Sequence, residues 1–590
     1  MKMTSQNRIW IWNSMARRRR SISDTFEENG LAIIQRHLED KGHGVRIIDW
    51  AVPKGYSSLS NPLLRRLNLF FILFVVLLRK VHLGQKWMGY LSSRLQSMLD
   101  QQQEKRMKNA LEKMAKQVAM ENLPFLGIKV WYGEAFEWAK YLCDCVHRAS
   151  PETLVIVGGY HASLYEEDLL RYSNFDMGVA EEGEYLLERI LKEASHWNGK
   201  AWSASEFMAS LKESALASLP GLIYRDDGTV RMTPRKRSDG VSEIIPVYSP
   251  HSEKTKVHIL QDSIGCAWGA CHFCVHSKFA PQYWKRQIES ILNEIQTVIK
   301  QGIGLFRFAG SDIPPRFGER IGRGIIEQGI TMEYSMGTRA VRNAHLPDVS
   351  AATRDAYVTM IQSGLRGVFM GGETGNDIIN DKIMNKGLTS RDIIYTIKAI
   401  RAAEEIVGQK ITISLAFIFP PPLIDGISFD QVAEDNLSLI KAASPDAAMV
   451  TPPGPFKHSE WYNRREEFGF SLPSDFIPVM MAYEYVLYKP LELWPDPPIE
   501  LQGQAFKDVL RQSQDFKQRV ETEADLPTDL SDEHFLMIRA AGLSGKEEIS
   551  KFKMKSLLSI VSAEYSYLDG ICRRVSWYSR QLAEKNRGTV

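Results

Sequence analysis

The chain has 590 residues, of which 44% are hydrophobic and 24% are charged, the proportions of an ordinary soluble globular protein. Its length corresponds to about three or four domains, and its net charge of +2 gives no general attraction to nucleic acid, so no nucleic-acid partner is expected. The first residues lack the pattern of a secretory signal, and six cysteines in so long a chain favour a reducing compartment. We therefore expect a cytoplasmic protein.

The N-terminal part of the chain alternates short apolar segments with segments of helical periodicity. Strands are predicted at 8–12, 44–50, 125–131, 153–159 and 176–180. Because strands separated by helices form parallel sheets, residues 1–200 are predicted to be a doubly wound, Rossmann-like α/β domain. A helical insertion at about 52–121 interrupts this alternation.

The insertion contains an apolar run, LFFILFVVLL at residues 69–78, between Arg65-Arg66 and Arg79-Lys80. A ten-residue helix covers only about 15 Å, whereas a bilayer core is about 30 Å thick, so no transmembrane span is predicted. Three interpretations remain open: a buried helix, a helix in peripheral contact with a membrane surface, and a helix that lines the access route of an apolar substrate.

Two loops at the carboxyl ends of the predicted strands are candidates for binding a large ligand. Parallel sheets bind ligands at this edge, and glycines allow the backbone to approach them closely. The candidate residues are Trp131, Tyr132 and Gly133 in the first loop, and Gly158, Gly159, Tyr160, His161, Ala162 and Ser163 in the second. Paired glycines after a strand also form simple turns, so the pattern by itself does not identify a ligand.

Residues 201–255 are predicted to be a linker with a hairpin around Asp226-Asp227-Gly228, and a second alternating region follows at 256–465. Its strands are predicted at 257–263, 304–310, 332–338, 366–372, 411–419 and 447–453. Six β/α units are too few to close an eightfold barrel, so we expect an open, partial (β/α)6 barrel with its chemistry in the loops after the strands. Residues 466–590 are predicted to be a mainly helical C-terminal region.

Half of the cysteines lie in one loop after the first strand of this barrel, in the sequence GCAWGACHFC. Cys266, Cys271 and Cys274 offer three thiolates from a single turn, and three protein ligands with one open position suit a catalytic metal centre. A four-iron cluster fits this description. The alternative is a structural zinc site, with His272 or His276 as the fourth ligand.

Most of residues 8–456 resemble the radical SAM enzymes that carry an N-terminal cobalamin-binding domain. The cysteine loop is similar to a G-C-x-W-G-x-C-x-F-C variant found in that family, although the commonest family spacing has one residue fewer. Residues 371–375, GGETG, resemble the family's G-x-E-T-G segment. VGGYHAS and AEEGE, at residues 157–163 and 180–184, resemble motifs of its cobalamin-binding domains. The resemblance implies three cofactors: a [4Fe-4S] cluster, S-adenosylmethionine (SAM) and cobalamin.

The resemblance also implies roles for individual residues. Cys266, Cys271 and Cys274 would hold the cluster, and Phe273 would contact the adenine of SAM. Gly310, Ser311, Asp312, Arg339 and Glu373 would contact the rest of SAM, and the two glycine-containing loops of the N-terminal domain would bind cobalamin. Local structure offers other roles: helix capping for Asp312 and Glu373, a surface position for Arg339, and an ordinary loop position for His161.

From the resemblance we expect a radical SAM methyltransferase that methylates an unactivated carbon of a biosynthetic substrate, using a 5′-deoxyadenosyl radical and methylcobalamin. A flavodoxin- or ferredoxin-type protein would donate electrons, and the substrate would be a small molecule or peptide. One alternative is a cyclase or rearrangement enzyme that uses cobalamin without methyl transfer. A second alternative, from a different class, is a cobalamin-binding sensor with a structural zinc site.

Overall fold

Two mainly parallel β-sheets, covered by helices, form the framework of this chain. The computed structural model describes residues 8–77, 82–180, 182–197, 201–214, 219–235, 243–276, 282–483 and 496–586. The domain limits of 200, 255 and 465 remain predictions within this framework.

The first sheet has the strands β1 (Arg8–Asn13), β2 (Gly44–Asp49), β3 (Phe125–Lys129), β4 (Leu154–Gly158), β5 (Met177–Val179), β6 (Leu222–Asp226) and β7 (Thr229–Met232). Their order is β2-β1-β3-β4-β5-β6-β7, and the first five are parallel. The predicted doubly wound sheet is therefore confirmed. The hairpin expected in the linker is hydrogen-bonded to the edge of this sheet, because β6 pairs antiparallel with β5.

The helices of this region are α1 (Asn29–Asp40), α2 (Pro53–Ser58), α3 (Pro62–Leu77), α4 (His82–Met120), α5 (Glu134–Ala149), α6 (Tyr160–Tyr165), α7 (Glu167–Arg171), α8 (Gly183–Ala194) and α9 (Ala204–Ser214). Helix α5 shows why they pack as they do: Phe136, Ala139, Leu142 and Val146 recur at helical spacing and are all buried. Strand β3 is buried from Phe125 to Ile128 between such helices.

Helices α3 and α4 form the insertion and pack against each other. Leu78, Arg79 and Lys80, at the end of the predicted apolar run, lie outside the described residues. Among the helices described, none has the length and apolar character needed to cross a membrane. The apolar run is not a buried helix, since Phe70, Leu73 and Phe74 are exposed.

The second sheet has the strands β8 (His258–Leu260), β11 (Leu305–Phe308), β12 (Glu333–Arg339), β13 (Leu365–Glu373), β14 (Thr412–Ile418) and β15 (Ala447–Thr451). Two short strands, β9 (Ser263–Ile264) and β10 (Trp284–Lys285), pair separately. The six strands are parallel and follow chain order across the sheet. This arrangement confirms the partial barrel.

The connecting helices are α10 (Ile288–Lys300), α11 (Pro315–Glu327), α12 (Pro347–Gln362), α13 (Asp377–Lys382), α14 (Ser390–Val407) and α15 (Phe429–Ala443). Their apolar faces pack on alternate strand residues such as Phe306, Phe308, Tyr334 and Met336. Intervening strand residues point to the other face of the sheet.

The C-terminal region is mainly helical, as predicted, with α16 (Glu460–Asn463), α17 (Phe476–Ala482), α18 (Phe506–Glu523), α19 (Asp532–Ala540), α20 (Gly545–Ser562) and α21 (Ser566–Lys585). Three short strands, β16 (Phe470–Ser471), β17 (Glu500–Leu501) and β18 (Gln504–Ala505), form a small sheet. Helix α19 packs on the face of the barrel sheet to which Arg307 and Ser335 point, and both side chains hydrogen-bond to the buried Asp532.

Candidate functional site

The three clustered cysteines lie in the loop after β9, at the carboxyl edge of the barrel sheet. Cys266, Cys271 and Cys274 are free and partly buried. Burial raises the pKa of the Cys271 thiol to about 11, although the positive charges of Lys386 and Arg339 oppose this shift. Burial also raises the pKa of Cys274, and the nearby Cys266 adds to the rise. The Cys274 thiol thus lies within electrostatic range of Cys266 and of Cys271, and the positive charges of Lys386 and Arg339 lie near the loop.

A segment of the chain after the GGETG motif holds the cysteine loop in place. The indole Nε1 of Trp268 donates to the carbonyl of Asn385 over 2.8 Å, and Asn385 Nδ2 donates to the carbonyl of Ala270 over 2.8 Å. The backbone N–H of His272 donates to the carbonyl of Met384 over 3.0 Å. Residues 383–387 therefore hold one side of the loop through hydrogen bonds.

The two histidines considered as zinc ligands have different surroundings. His272 Nδ1 lies 3.1 Å from the carbonyl oxygen of Ile383, and its ring packs against Phe468. His276 Nδ1 lies 3.4 Å from Ser311 Oγ. Within the described ranges, no three His, Cys, Asp or Glu side chains are grouped as ligands of a single metal ion.

Asp312 follows β11 and points toward the cysteine loop. Its Oδ2 lies 4.0 Å from Cys266 Sγ, and its Oδ1 accepts a hydrogen bond of 3.1 Å from the backbone N–H of Arg339. Burial raises the pKa of this carboxyl. Asp312 does not cap the following helix, because the residue at the N-cap position of α11 is Pro314.

Arg339 ends β12 and is packed into the same site. Its guanidinium lies 5.1 Å above the Trp268 ring, and its Nη2 donates to the carbonyl of Lys386. Its Nε is buried and has no hydrogen-bond partner among the residues that the structure describes. A buried guanidinium N–H without a partner is costly, and an anionic group of a ligand would satisfy it.

Glu373 lies at the end of β13, where the strand departs from regular pairing. Its φ is +62°, in the left-handed region, and the register with β14 shifts between Gly371 and Glu373. Its Oε1 lies 2.6 Å from Lys386 Nζ, and both side chains are buried. Lys386 Nζ also lies 5.8 Å from the centre of the Phe273 ring. Glu373 is therefore one half of a buried ion pair next to the cysteine loop.

A cavity of about 450 Å³ lies between the two sheets, and we call it the interdomain cavity. The N-terminal domain lines it with residues that include Gly158, Gly159, Tyr160 and Ser163, and the barrel lines it with Ser263–Gly265, His276 and Ser311. The Tyr160 ring lies 6.5 Å from the His276 ring across this boundary. Four residues of the second predicted loop therefore line the same cavity as Gly265 and His276, which flank the three cysteines.

His161 and Ala162 are not among the residues that line the interdomain cavity. Both are buried, and the His161 ring packs between Phe136 and Tyr165 at 5.2 and 4.7 Å. Burial lowers the pKa of His161 to about 3, so its imidazole is neutral near pH 7. The structure therefore places these two residues in the core, behind the wall of the interdomain cavity.

The first predicted loop lines a different cavity, of about 390 Å³, at the carboxyl ends of β1 and β3. Trp131 Nε1 donates to Asn13 Oδ1 over 3.1 Å, and the Tyr132 ring stacks 4.4 Å from the Arg20 guanidinium. Gly133 has a φ of +66° and donates its N–H to the carbonyl of Met481, outside this cavity. The two loops that the sequence grouped together therefore line different cavities.

Sequence reasoning gave no role to three residues that the structure places in the site. Two of them are Lys386 and Trp268, which contact Glu373 and Arg339. The third, Asp262, is fully buried, accepts a hydrogen bond of 2.8 Å from the N–H of Gly310, and has its pKa raised to about 6 by burial. The sequence could have identified Asp262, because it is a carboxylate at the end of a predicted barrel strand. No spacing rule connects Lys386 to Glu373, 13 residues earlier.

Residues 95–191 match the family model described as the B12 binding domain. A search of curated proteins found no match to the chain. The fold is similar to that of the radical SAM methyltransferase TsrM from Kitasatospora setae, with a TM-score of 0.60 and 13% identity over 95% of this chain and 100% of that one. It is also similar to OxsB, a cobalamin-dependent SAM radical enzyme, with a TM-score of 0.53 and 14% identity over 94% of this chain and 72% of that one.

The chain has the fold of the cobalamin-dependent radical SAM enzymes. The segment matched as a B12-binding domain contains β3, β4 and β5, together with the Gly158–Ser163 loop that lines the interdomain cavity. Across that cavity from this loop lie Gly265 and His276 of the barrel, on either side of the three cysteines.

Proposed function

We propose that this protein is a cobalamin-dependent radical SAM C-methyltransferase that binds a [4Fe-4S] cluster, SAM and cobalamin. The observation that carries the proposal is the interdomain cavity: Gly158, Gly159, Tyr160 and Ser163 line one side of it, and Gly265 and His276, which flank the three cysteines, line the other. A chain that binds two reactive cofactors for one reaction has to bring their sites together in this way.

The residues around the cysteine loop suit a cluster with SAM bound to it. Three thiols from one turn leave one iron of a four-iron cluster open for a ligand. The unpaired Nε–H of Arg339 and the buried Asp312 carboxylate offer partners of opposite charge for the carboxylate and ammonium groups of SAM. Phe273 would contact its adenine. A cluster held by these cysteines would supply the electron that cleaves SAM to methionine and a 5′-deoxyadenosyl radical.

The interdomain cavity suits part of a cobalamin. Gly158 and Gly159 present backbone at its wall, and Gly159 has a φ of +100°, which a residue with a side chain rarely adopts. Tyr160 and Ser163 add hydroxyl groups for the polar edge of the ligand. When bound, cobalamin would carry a methyl group between SAM and the substrate.

We propose methyl transfer ahead of other cobalamin chemistry because the TM-score with TsrM, 0.60, is higher than that with OxsB, 0.53. TsrM is described as a methyltransferase, and one of its structures contains a tryptophan substrate and a SAM analogue. In the proposed reaction, one SAM gives its methyl group and leaves as S-adenosylhomocysteine. One external electron would cleave a second SAM to methionine and a 5′-deoxyadenosyl radical, which would take a hydrogen atom from the substrate carbon and leave as 5′-deoxyadenosine. A second external electron would be needed, because the methyl group leaves SAM as a cation and joins a carbon radical. We propose a flavodoxin- or ferredoxin-type donor for the electrons.

Isotope labelling tests the proposal even while the substrate is unidentified. The reconstituted protein would be incubated with extract metabolites and peptides, a reductant and SAM carrying a deuterated methyl group. Methyl transfer predicts a labelled product, with S-adenosylhomocysteine and 5′-deoxyadenosine formed in equal amounts. Unlabelled product with 5′-deoxyadenosine alone would instead support cyclisation or rearrangement. A protein that binds zinc and cleaves no SAM would support the sensor alternative.

A further inference from the structure

Helix α3 (Pro62–Leu77) has the reverse of the usual arrangement of polar and apolar side chains. Arg65 and Asn68 are buried, with 7% and 0% of their surface exposed, whereas Leu63 and Phe70 are 64% and 55% exposed. Helices on the surface of a soluble protein normally bury the apolar side and expose the polar side. This helix is therefore built to present apolar side chains to something outside the chain.

Specific polar contacts fix α3 in this orientation. The Arg65 guanidinium lies 3.5 Å from Glu564 Oε2, and both side chains are 9% exposed. Asn68 Nδ2 donates to the carbonyl of Ser562 over 3.2 Å. Because a buried arginine and a buried asparagine need such partners, rotating the helix to hide its apolar side would leave both without them.

The exposed apolar residues of α3 form one stripe along the helix, which we call the α3 stripe. It consists of Leu63, Leu67, Phe70, Leu73 and Phe74. Successive members are separated mostly by three or four residues, so they lie on the same side. The rings of Phe70 and Phe74 stack with their centres 5.8 Å apart. A contiguous exposed patch of this kind marks an interaction surface.

The charge of this part of the sequence is strongly one-sided. Residues 50–99 contain seven Lys or Arg residues and no Asp or Glu, in a chain whose net charge is only +2. Two copies related by a twofold axis would bring the same basic region against itself, which opposes pairing through the stripe. A partner that suits both features has an anionic surface, which attracts the basic residues of 50–99, and an apolar interior, which accepts the α3 stripe.

We propose that the α3 stripe docks on the surface of a membrane that contains anionic lipids. Interfacial helices insert bulky apolar side chains at the headgroup boundary while neighbouring Lys and Arg side chains bind anionic headgroups. Arg66, exposed on α3, and Arg94, exposed on α4, are placed for the second role. Docking of this kind would hold the enzyme at a membrane without a spanning helix, and it does not depend on the reaction proposed above.

Vesicle flotation with the full-length protein tests this proposal directly. We expect the protein to float with vesicles of equal parts phosphatidylcholine and phosphatidylglycerol, at least about tenfold more than with phosphatidylcholine alone. Because headgroup contacts are screened, raising the salt from about 0.05 M to about 0.5 M should reduce binding severalfold. The variant F70S/F74S should lose binding by at least about tenfold, since the deeply inserted groups are removed.

A matched control removes two exposed apolar side chains elsewhere. Ile406 and Trp577 are 61% and 63% exposed and lie outside the insertion, so I406S/W577S should bind vesicles as the unaltered protein does. Equal loss in both double variants, or no preference for the anionic vesicles, would overturn the proposal. So would a F70S/F74S variant that leaves flotation unchanged but converts a dimer to a monomer in light scattering, because the stripe would then contact a second copy.

Discussion

The ammonium nitrogen of Lys386 lies 2.6 Å from Oε1 of Glu373, and the two side chains are only 7% and 9% exposed. Glu373 occupies an irregular position at the end of β13, and Lys386 belongs to the segment that clasps the cysteine loop. Burial by itself lowers the pKa of Lys386, but the adjacent Glu373 outweighs it, so the pKa is raised and the amine stays protonated. The ion pair thus ties the barrel strand to the cysteine loop.

Removing one partner of this pair should be far more damaging than removing both charges. Lys386→Met leaves the Glu373 carboxylate buried without a counter-charge, so we expect a loss of about 3–5 kcal/mol in the free energy of unfolding. The double variant K386M/E373Q should recover much of that loss. Urea denaturation of both variants measures these differences, and a single variant within about 1 kcal/mol of the unaltered protein would contradict the account.

Alanine variants of Gly387 and Gly408 distinguish a steric requirement of the cysteine loop from backbone strain alone. Its φ is +67°, and a Cβ at this position would overlap the ring of Trp268. Gly408 has a φ of +71° with no atom within 4 Å of such a Cβ. Both alanine variants should lose about 1 kcal/mol through the left-handed backbone, but only Gly387→Ala should lose a further 1–3 kcal/mol, roughly, from overpacking.

Thermal unfolding and the iron content after reconstitution are measured for both alanine variants. Gly387→Ala should retain less iron because a displaced Trp268 no longer holds the loop through its bond to Asn385. Gly408→Ala should retain as much iron as the unaltered protein. Equal melting temperatures and equal iron contents for the two variants would show that the Trp268 contact has no role.

The raised pKa of Asp262 predicts that the free energy of unfolding falls as the pH rises. Its folded pKa of about 6 is above the unfolded value of 3.8, because burial disfavours the carboxylate. The stability it contributes is therefore complete below about pH 4 and is lost as the pH rises through about 6. Relative to Asp262→Asn, the unaltered protein should lose on the order of 2 kcal/mol between pH 4 and pH 7. Urea denaturation at a series of pH values measures this difference, and a constant or rising value would refute it.

Filling the interdomain cavity should weaken cobalamin binding. Gly30 lies on α1 at the wall of this cavity, and the nearest atom to a Cβ there is Glu28 Oε1 at 3.8 Å. Gly30→Phe can therefore occupy the cavity without a backbone clash, and we expect affinity for cobalamin to fall by at least about tenfold. Gly570→Phe, on α21, is the control, because its Cβ would meet only Arg573 at 3.9 Å.

Absorbance titration with hydroxocobalamin gives the affinities of both glycine variants. The control should bind as the unaltered protein does. If Gly30→Phe also binds with unchanged affinity, the cofactor does not use this cavity and must lie elsewhere along the edge of the first sheet.

The sequence predicted the framework well because both sheets depend on local patterns. Each parallel strand is a short apolar run followed by a helix, and this alternation is readable residue by residue. The hairpin at Asp226-Asp227-Gly228 was also readable, but its pairing with β5 depends on a long-range contact that no local pattern contains. For the same reason the exposed side of α3 was not predictable: Glu564 and Ser562, which hold it, are about 500 residues away along the chain.

The sequence predicted those site residues that lie in the cysteine loop or at the end of a barrel strand, because a local pattern marks both positions. The cysteines, Phe273 and Asp312 follow directly from the loop and the strand ends. His161 carried the same kind of pattern but lies in the core, because the short helix α6 turns its ring toward Phe136 and Tyr165. The local sequence around Lys386 assigns it no role, since only the folded chain shows that it neutralises Glu373.

Metal analysis of the anaerobically reconstituted protein, compared with a Cys266, Cys271 and Cys274 triple alanine variant, tests the central claim most directly. The account predicts about four irons and an equal amount of sulfide per chain in the unaltered protein, and neither in the variant, because one loop supplies every protein ligand of the cluster. Cobalamin should still bind to the variant, since its cavity is intact. One zinc with no sulfide in the unaltered protein, or iron retained by the triple variant, would contradict it.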